Sequence, residues 1–312
     1  MALYARLDRA AVQSLARRFG IDDITVFSVM DGGLENTNYC LETSSGKYVL
    51  TICDQKSLNH ATNLARLLVH LVDHGIHTSS VVMPPKEPIV ILHDEKPVML
   101  KCHVDGDIAA NLTGNLLVQL GQEIARLHDI SAPSFLPKSF PYGRSYFSEV
   151  INSNLDHAFV DWLSEKNRYL QKQIPQNLPM TLIHGDVFFD NIIVKDDQLE
   201  AIIDFEEACH YYRAFDLGMV IVGACRNDQG ISFQKARQFL RGYQNGMTLE
   251  SVERECLKAF AVYAAVATSF WRFRQYHLLR PEPRLYDMHV EMQTLADTIS
   301  EYSDSSFAEL FD

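Results

Sequence analysis

No apolar run in this 312-residue chain approaches the ~18 residues that a membrane-crossing helix requires. No C-x-x-C pair occurs among the six cysteines, Cys40, Cys53, Cys102, Cys209, Cys225 and Cys256, and most lie in apolar surroundings. They read as reduced core residues; the even count permits disulfides, but nothing else suggests secretion. No compact Lys/Arg stripe offsets the formal net charge of −12, which argues against general nucleic-acid binding. An anionic nucleotide is not thereby excluded, because local groups and a metal ion set the field at a phosphate site. The segment Met1–Asp8 has no signal-peptide pattern, and no internal repeat or low-complexity tract interrupts the chain. The expectation is a cytoplasmic, soluble monomer or homodimer whose partners are small molecules, not nucleic acid or membrane.

Apolar residues at 47% and charged residues at 22% are ordinary for a globular protein with ample core. Leu7, Val12, Leu15, Ala16 and Phe19 recur at helical spacing, with Asp8 as N-cap and Gly20 as stop. Residues 24–30, 37–43, 47–53, 89–93 and 98–104 read as strands, with hairpin signals at Ser44-Ser45-Gly46 and Asp94-Glu95-Lys96. A single helix, whose apolar stripe runs from Leu58 to Val72 and which Gly75 ends, interrupts them. Residues 1–104 thus predict an antiparallel lobe with one inserted helix, and 105–312 a mainly helical lobe, joined at the hinge Val104-Asp105-Gly106-Asp107. In the second part, Leu116–Leu127 is amphipathic, 132–145 is a Pro/Ser/Gly-rich loop, helices occupy roughly 146–174, and Ala259–Leu279 is a long aromatic-rich helix. The tail after Ser300 reads as frayed.

The densest chemistry lies in Leu182-Ile-His-Gly-Asp-Val-Phe-Phe-Asp-Asn191, followed by Leu199-Glu-Ala-Ile-Ile-Asp204-Phe205. Asp186 follows one apolar strand, Asn191 comes five residues later, and Asp204 ends a second strand; together they suggest a catalytic hairpin over about 181–205. Phosphoryl transfer needs a carboxylate to orient and deprotonate a hydroxyl, and oxygen ligands to hold magnesium on the nucleotide phosphates. Asp186 suits the first task; Asn191 and Asp204 suit the second. Singly, Asp186 is better read as a turn carboxylate and Asn191 as an αL or capping residue. It is the joint spacing that carries the catalytic reading. His184 is expected to bond the loop backbone, and Gly185 to allow a tight bend.

The grammar is that of protein kinases, H-R-D-x-x-x-x-N and then D-F-G, and it resembles the aminoglycoside phosphotransferase-like branch of that fold, whose members phosphorylate small molecules. Gly33-Leu-Glu35-Asn36-Thr37-Asn38-Tyr39 is similar to the G-x-E-N-T-N-Y segment of the homoserine kinases of that type, as are Tyr48-Val49-Leu50-Thr51 and Ile203-Asp204-Phe205-Glu206-Glu207. The resemblance spans nearly the whole chain. It implies a two-lobed, protein-kinase-like α+β fold, ATP bound between the lobes with Mg2+, and transfer to the hydroxyl of a small amino acid, L-homoserine first. A kinase of another amino alcohol or of an aminoglycoside is the alternative, as is a catalytically silent nucleotide-binding module.

In that frame Gly32, Gly33, Glu35, Asn36 and Asn38 cover the phosphates, while for Gly32-Gly33 alone a plain hairpin turn is the simpler reading; no G-K-[ST] follows. Kinases place a lysine on the third strand, opposite a helix glutamate; here Thr51 stands in that place, and residues 57–74 contain no glutamate. Lys47 and Lys56 read as ordinary solvated lysines; Lys101, near the hinge, reads equally as a lysine approaching the nucleotide and as an ordinary exposed one on its strand. Glu206 or Glu207 is a candidate partner for a substrate ammonium or for waters on magnesium, with a solvated loop as the plain alternative. Arg272 or Arg274 is a candidate for a substrate carboxylate, one of the two facing the site, although a surface role is commoner. Asp216, in Ala-Phe-Asp-Leu-Gly, reads as a structural residue that caps a helix and supports the catalytic loop. Trp271 and Phe273 read as core.

Overall fold

In the computed structural model, residues 7–30, 36–109 and 111–311 are described. The backbone divides into two compact units, Met1–Gly106 and Asp107–Asp312.

The first unit contains α1 (Arg9–Arg18), β1 (Val26–Val29), β2 (Thr37–Thr43), β3 (Gly46–Ile52), α2 (Leu58–Asp73), β4 (Ile91–His93) and β5 (Lys96–Cys102). The strands form one antiparallel sheet in the order β1-β2-β3-β5-β4. Asp8 caps α1 by accepting from the Ala11 N–H at 2.8 Å, and Gly20, at φ +82°, ends it. Strand alternation sends Tyr39, Leu50 and Leu100, which lie opposite one another, into one core with Val12, Leu15 and Phe19 of α1. The opposite set, Asn38, Thr51 and Met99, faces the side where Met99 packs with Ala61 and Ala65 of α2. Asp94 and Glu95 both take positive φ, 48° and 64°, as a two-residue hairpin turn requires.

The second unit contains β6 (Asp107–Ile108), α3 (Gly114–Asp129), α4 (Ser148–Ile151), α5 (His157–Gln173), β7 (Met180–Ile183), β8 (Ile192–Lys195), β9 (Gln198–Ile202), β10 (Cys209–Tyr212), α6 (Arg213–Gly223), β11 (Arg226–Asn227), β12 (Gly230–Ile231), α7 (Phe233–Gln244), α8 (Ser251–Phe273), α9 (Met288–Glu301) and α10 (Asp304–Ala308). Helix α8 is buried along most of its length and packs against α5, α6 and α9. It begins earlier than its aromatic pattern suggests, at a reciprocal Glu250/Glu253 capping box, and gives way to a π-helical turn over Arg274–Leu279. Helices α3 and α7 cross at Gly121 and Gly242, each of whose missing Cβ would strike the other's backbone.

Two expectations are corrected here. The segments around Asp186 and Asp204 do not pair as one hairpin: β7 pairs with β10, whereas β9 pairs with β8, which also joins β6. The tail is ordered, not frayed. Its Ser/Asp run is an N-cap, Ser303 accepting from the Ser306 N–H, and it anchors buried Phe307 and Leu310.

Candidate active site

The site is built on the loop between β7 and β8. Asp216, in the first turn of α6, is fully buried and accepts the backbone N–H groups of His184 at 2.7 Å and Gly185 at 2.8 Å. Its Oδ2 also meets His128 Nε2 at 3.1 Å, and His128 Nδ1 meets the Tyr243 hydroxyl at 2.9 Å. Asp216 therefore supports the loop, but it does not cap the helix, since Tyr212 holds the N-cap position. Asp216→Ala is expected to destabilise the fold by about 2–5 kcal/mol, because each buried donor left unsatisfied costs about 1–3 kcal/mol. Chemical denaturation measures this, and an unchanged midpoint would contradict it.

His184 closes the loop from its other side. The Asp186 N–H donates to Nδ1 at 3.1 Å, and Nε2–H donates to the Ile203 carbonyl at 2.9 Å. This pattern fixes the neutral Nε2–H tautomer, and burial lowers the imidazole's pKa in agreement with it. Gly185 takes φ +88°, and a Cβ there would lie 2.9 Å from both the Glu207 carbonyl oxygen and the Phe140 ring. No other residue fits that bend.

The Ile203 backbone links the two halves of the site. Its carbonyl accepts from His184, and its N–H donates to the Asn191 carbonyl at 2.9 Å. Asn191 Nδ2 donates to the Asp186 carbonyl at 2.8 Å and approaches Asp186 Oδ2 at 3.4 Å. Asp186, Asn191 and the residue before Asp204 are thus gathered by hydrogen bonds. Asp204 itself is exposed and left-handed, φ 66° and ψ 60°, a conformation that Asp and Asn tolerate better than other side chains. The site is strongly acidic. Burial comes first, and then the charges of Asp204, Glu207 and Asp190, in raising the Asp186 pKa well above the ordinary carboxylate range.

Asp204 and Asn191 have the chemistry magnesium asks for: one carboxylate and one amide oxygen, with the amide nitrogen already committed to Asp186. Among the described residues no three His, Cys, Asp or Glu side chains form a self-sufficient metal cage. Magnesium in nucleotide sites is commonly held by one or two carboxylates and completed by phosphate oxygens and water.

The remaining candidates fall in several places. Gly32, Gly33 and Glu35 lie outside the described residues. Asn36 precedes β2, and the Thr51 hydroxyl donates to Asn38 Oδ1 at 2.8 Å, a pairing of two neutral side chains. Lys47 is exposed and paired with Glu42 across the hairpin at 2.9 Å. Glu206 and Glu207 are half-buried just after Asp204; Glu207 is the one whose charge bears on Asp186. Arg272 donates to the Met288 carbonyl and to Glu291 at 2.8 Å, while Arg274 pairs with Glu149 at 2.5 Å. Phe273 is core, stacked on Phe159 at 4.0 Å; Trp271 is half-buried, with Tyr142 at 6.4 Å. Sequence reasoning missed Asp190, although it stands inside the motif, and Tyr142, which no motif marks.

A five-stranded antiparallel sheet, a helical unit and an H-G-D loop followed by Asn and I-D-F define a phosphotransferase of the protein-kinase-like fold. The chain belongs to the phosphotransferase enzyme family, which it matches over residues 26–255. It is 25% identical over 291 residues to a homoserine kinase of Parvibaculum lavamentivorans, covering 91% of this chain and 90% of that one. In three dimensions it is similar to an amicoumacin kinase in complex with AMP-PNP and Ca2+, with a TM-score of 0.74, 13% identity, and 96% and 97% of the two chains covered. A microcompartment-associated aminopropanol kinase gives a TM-score of 0.73 at 17% identity, covering 97% of this chain and all of that one. Among the described residues no helix is long and apolar enough to cross a membrane.

Proposed function

We propose that this enzyme transfers the γ-phosphoryl group of ATP to the hydroxyl of a small amino acid, with L-homoserine as the preferred acceptor. The observation that carries the reading is Asp186, whose backbone carbonyl accepts from Asn191, on a loop that Asp216 and His184 fix from two sides. A base that must accept a proton works best when its pKa is lifted towards the working pH, and burial first, then the acidic surroundings, push Asp186 in that direction. Asp186 orients the acceptor hydroxyl and takes its proton as the new P–O bond forms. Asn191 and Asp204 are the residues that would hold magnesium, which when bound neutralises phosphate charge. Asn38 and Asn36, with the backbone N–H groups around Gly32, Gly33 and Glu35, are proposed to contact the nucleotide through neutral hydrogen bonds in place of the lysine, Thr51 holding Asn38 by its hydroxyl. Glu207 is the better placed of the two glutamates to receive a substrate ammonium.

The choice of L-homoserine rests on similarity to homoserine kinases at about 25% identity and on the E-N-T-N-Y segment. A second reading, an amino alcohol without a carboxylate, is favoured by the ion pairs that already engage Arg272 and Arg274. The arginines separate the two. If either guanidinium exchanges its glutamate for a substrate carboxylate, Arg272→Ala or Arg274→Ala should raise the KM for L-homoserine roughly tenfold or more, the worth of one charged hydrogen bond. Unchanged KM in both variants favours the simpler amino alcohol. ADP release measured over L-homoserine, aminopropanol, choline-like alcohols and an aminoglycoside tests the class as a whole. Turnover of none of them would contradict it.

A further inference from the structure

The loop over residues 132–145 reads as a connector, yet it delivers one side chain to the heart of the site. Tyr142 is 5% exposed, and its hydroxyl lies 3.3 Å from the Gly185 carbonyl oxygen and 3.4 Å from Asp186 Oδ1. Both bonds are long, as when one donor is shared between two acceptors. The ring cannot readily swing away: Phe140 packs on it at 4.2 Å and Trp271 at 6.4 Å between centroids. Phe140 is itself locked against Phe215 at 4.4 Å and fills the space that a Cβ on Gly185 would need.

Each carboxylate oxygen of Asp186 therefore has a neighbouring donor, Tyr142 at Oδ1 and the Asn191 amide at Oδ2. Two such contacts on opposite sides fix rotation about the Cβ–Cγ bond while leaving each oxygen a lone pair. We propose that Tyr142 is a positioning residue, whose hydroxyl orients the Asp186 carboxylate towards the acceptor hydroxyl. The inference rests on the reading of Asp186 as the base. The phenol keeps its own proton throughout, since burial first, and then the charges of Asp186 and Glu207, push its pKa well above its ordinary value. It acts only as a donor, and the acceptor's proton goes to Asp186. Catalytic hydrogen bonds of this length are common before substrate arrives and shorten in the reacting complex. Trp271, with its ring centroid 6.4 Å from that of Tyr142, is then part of the wall that keeps Tyr142 in place.

Steady-state kinetics on Tyr142→Phe, Asp186→Asn and the double variant test this, with ATP, magnesium and L-homoserine or the amino alcohol that the acceptor panel identifies. Tyr142→Phe keeps the ring and removes only the hydroxyl, so kcat should fall about tenfold or more while the KM for ATP stays within about twofold. The double variant should be no slower than Asp186→Asn, because a group that acts through Asp186 has nothing left to orient. Wild-type kcat in a folded Tyr142→Phe protein overturns the inference, and so does a loss that multiplies with that of Asp186→Asn. Should the Phe variant not fold, Tyr142→His keeps a ring-borne donor and Tyr142→Leu keeps only bulk; the His variant must then be the faster, and equal rates overturn the inference. The two readings fail separately. Wild-type kcat in Asp186→Asn removes the base assignment itself, whereas an inactive Asp186→Asn beside a fully active Tyr142→Phe removes only the role of Tyr142.

Discussion

Asp186→Asn should lower kcat by about 10²–10⁴, the usual range for loss of a general base, while leaving ATP affinity nearly unchanged. In magnesium-free buffer at neutral pH the same variant should also melt at a higher temperature than the wild type. The sign follows from the raised pKa of the native carboxyl. A group that holds its proton more tightly when folded contributes stability below its unfolded pKa of about 3.9, and that contribution is lost as pH rises through the folded value. At neutral pH this carboxyl, disfavoured as an anion by burial first and then by Asp204, Glu207 and Asp190, is therefore a cost to the fold that the amide does not carry. The gain in melting temperature should shrink towards pH 4. His184 works oppositely: its lowered pKa makes the native loop lose stability as pH falls below about 6.5. Differential scanning fluorimetry across pH 4–8 reads both effects. A variant that melts below the wild type at pH 7 would contradict the electrostatic picture of the site, and one that retained full kcat would contradict the role of Asp186.

Replacing Asp204 should remove most of the magnesium-dependent part of nucleotide affinity. Loss of one negatively charged oxygen ligand is expected to weaken magnesium–ATP binding by about tenfold or more, on the scale of 1.5–3 kcal/mol for a charged contact. Asp204→Asn is a cleaner probe than Asp204→Ala, because Asn also tolerates the left-handed backbone at φ 66° whereas Ala is strained there. Asn191→Ala removes a neutral ligand and should cost less in metal dependence, but it also deletes the bond to the Asp186 carbonyl and so should lower kcat as well. Calorimetric titration of ATP with and without magnesium distinguishes these outcomes. The same magnesium dependence in Asp204→Asn as in the wild type would assign that carboxylate to another task.

The triad was legible because its members sit within nineteen residues of one another and between apolar runs, so that spacing alone encodes their proximity. The strand partners were not. For β7 in particular, the partner β10 arrives only after the local β8–β9 hairpin with its Asp196-Asp197 turn, and no local pattern states that pairing. Asp216 was readable as support for the loop, yet its bonds to His184, Gly185 and His128 bridge 32, 31 and 88 residues, too far for periodicity to assign a partner. Tyr142 was hidden for a different reason. A Pro/Ser/Gly-rich stretch carries no face, and only the packing of Phe140 and Trp271 decides where the phenol points. The arginines illustrate the converse: a charge near an aromatic helix suggests a ligand, but Glu291 and Glu149 reach them from α9 and α4.

Phosphorus NMR of the wild-type enzyme turning over ATP, magnesium and L-homoserine, followed against Asp186→Asn, tests the central claim most directly. The account predicts a new phosphomonoester resonance that grows in step with ADP in the wild type and is absent, or slower by about 10²-fold or more, in the variant. Formation of inorganic phosphate alone, or a phosphomonoester appearing at the same rate in both proteins, would contradict it.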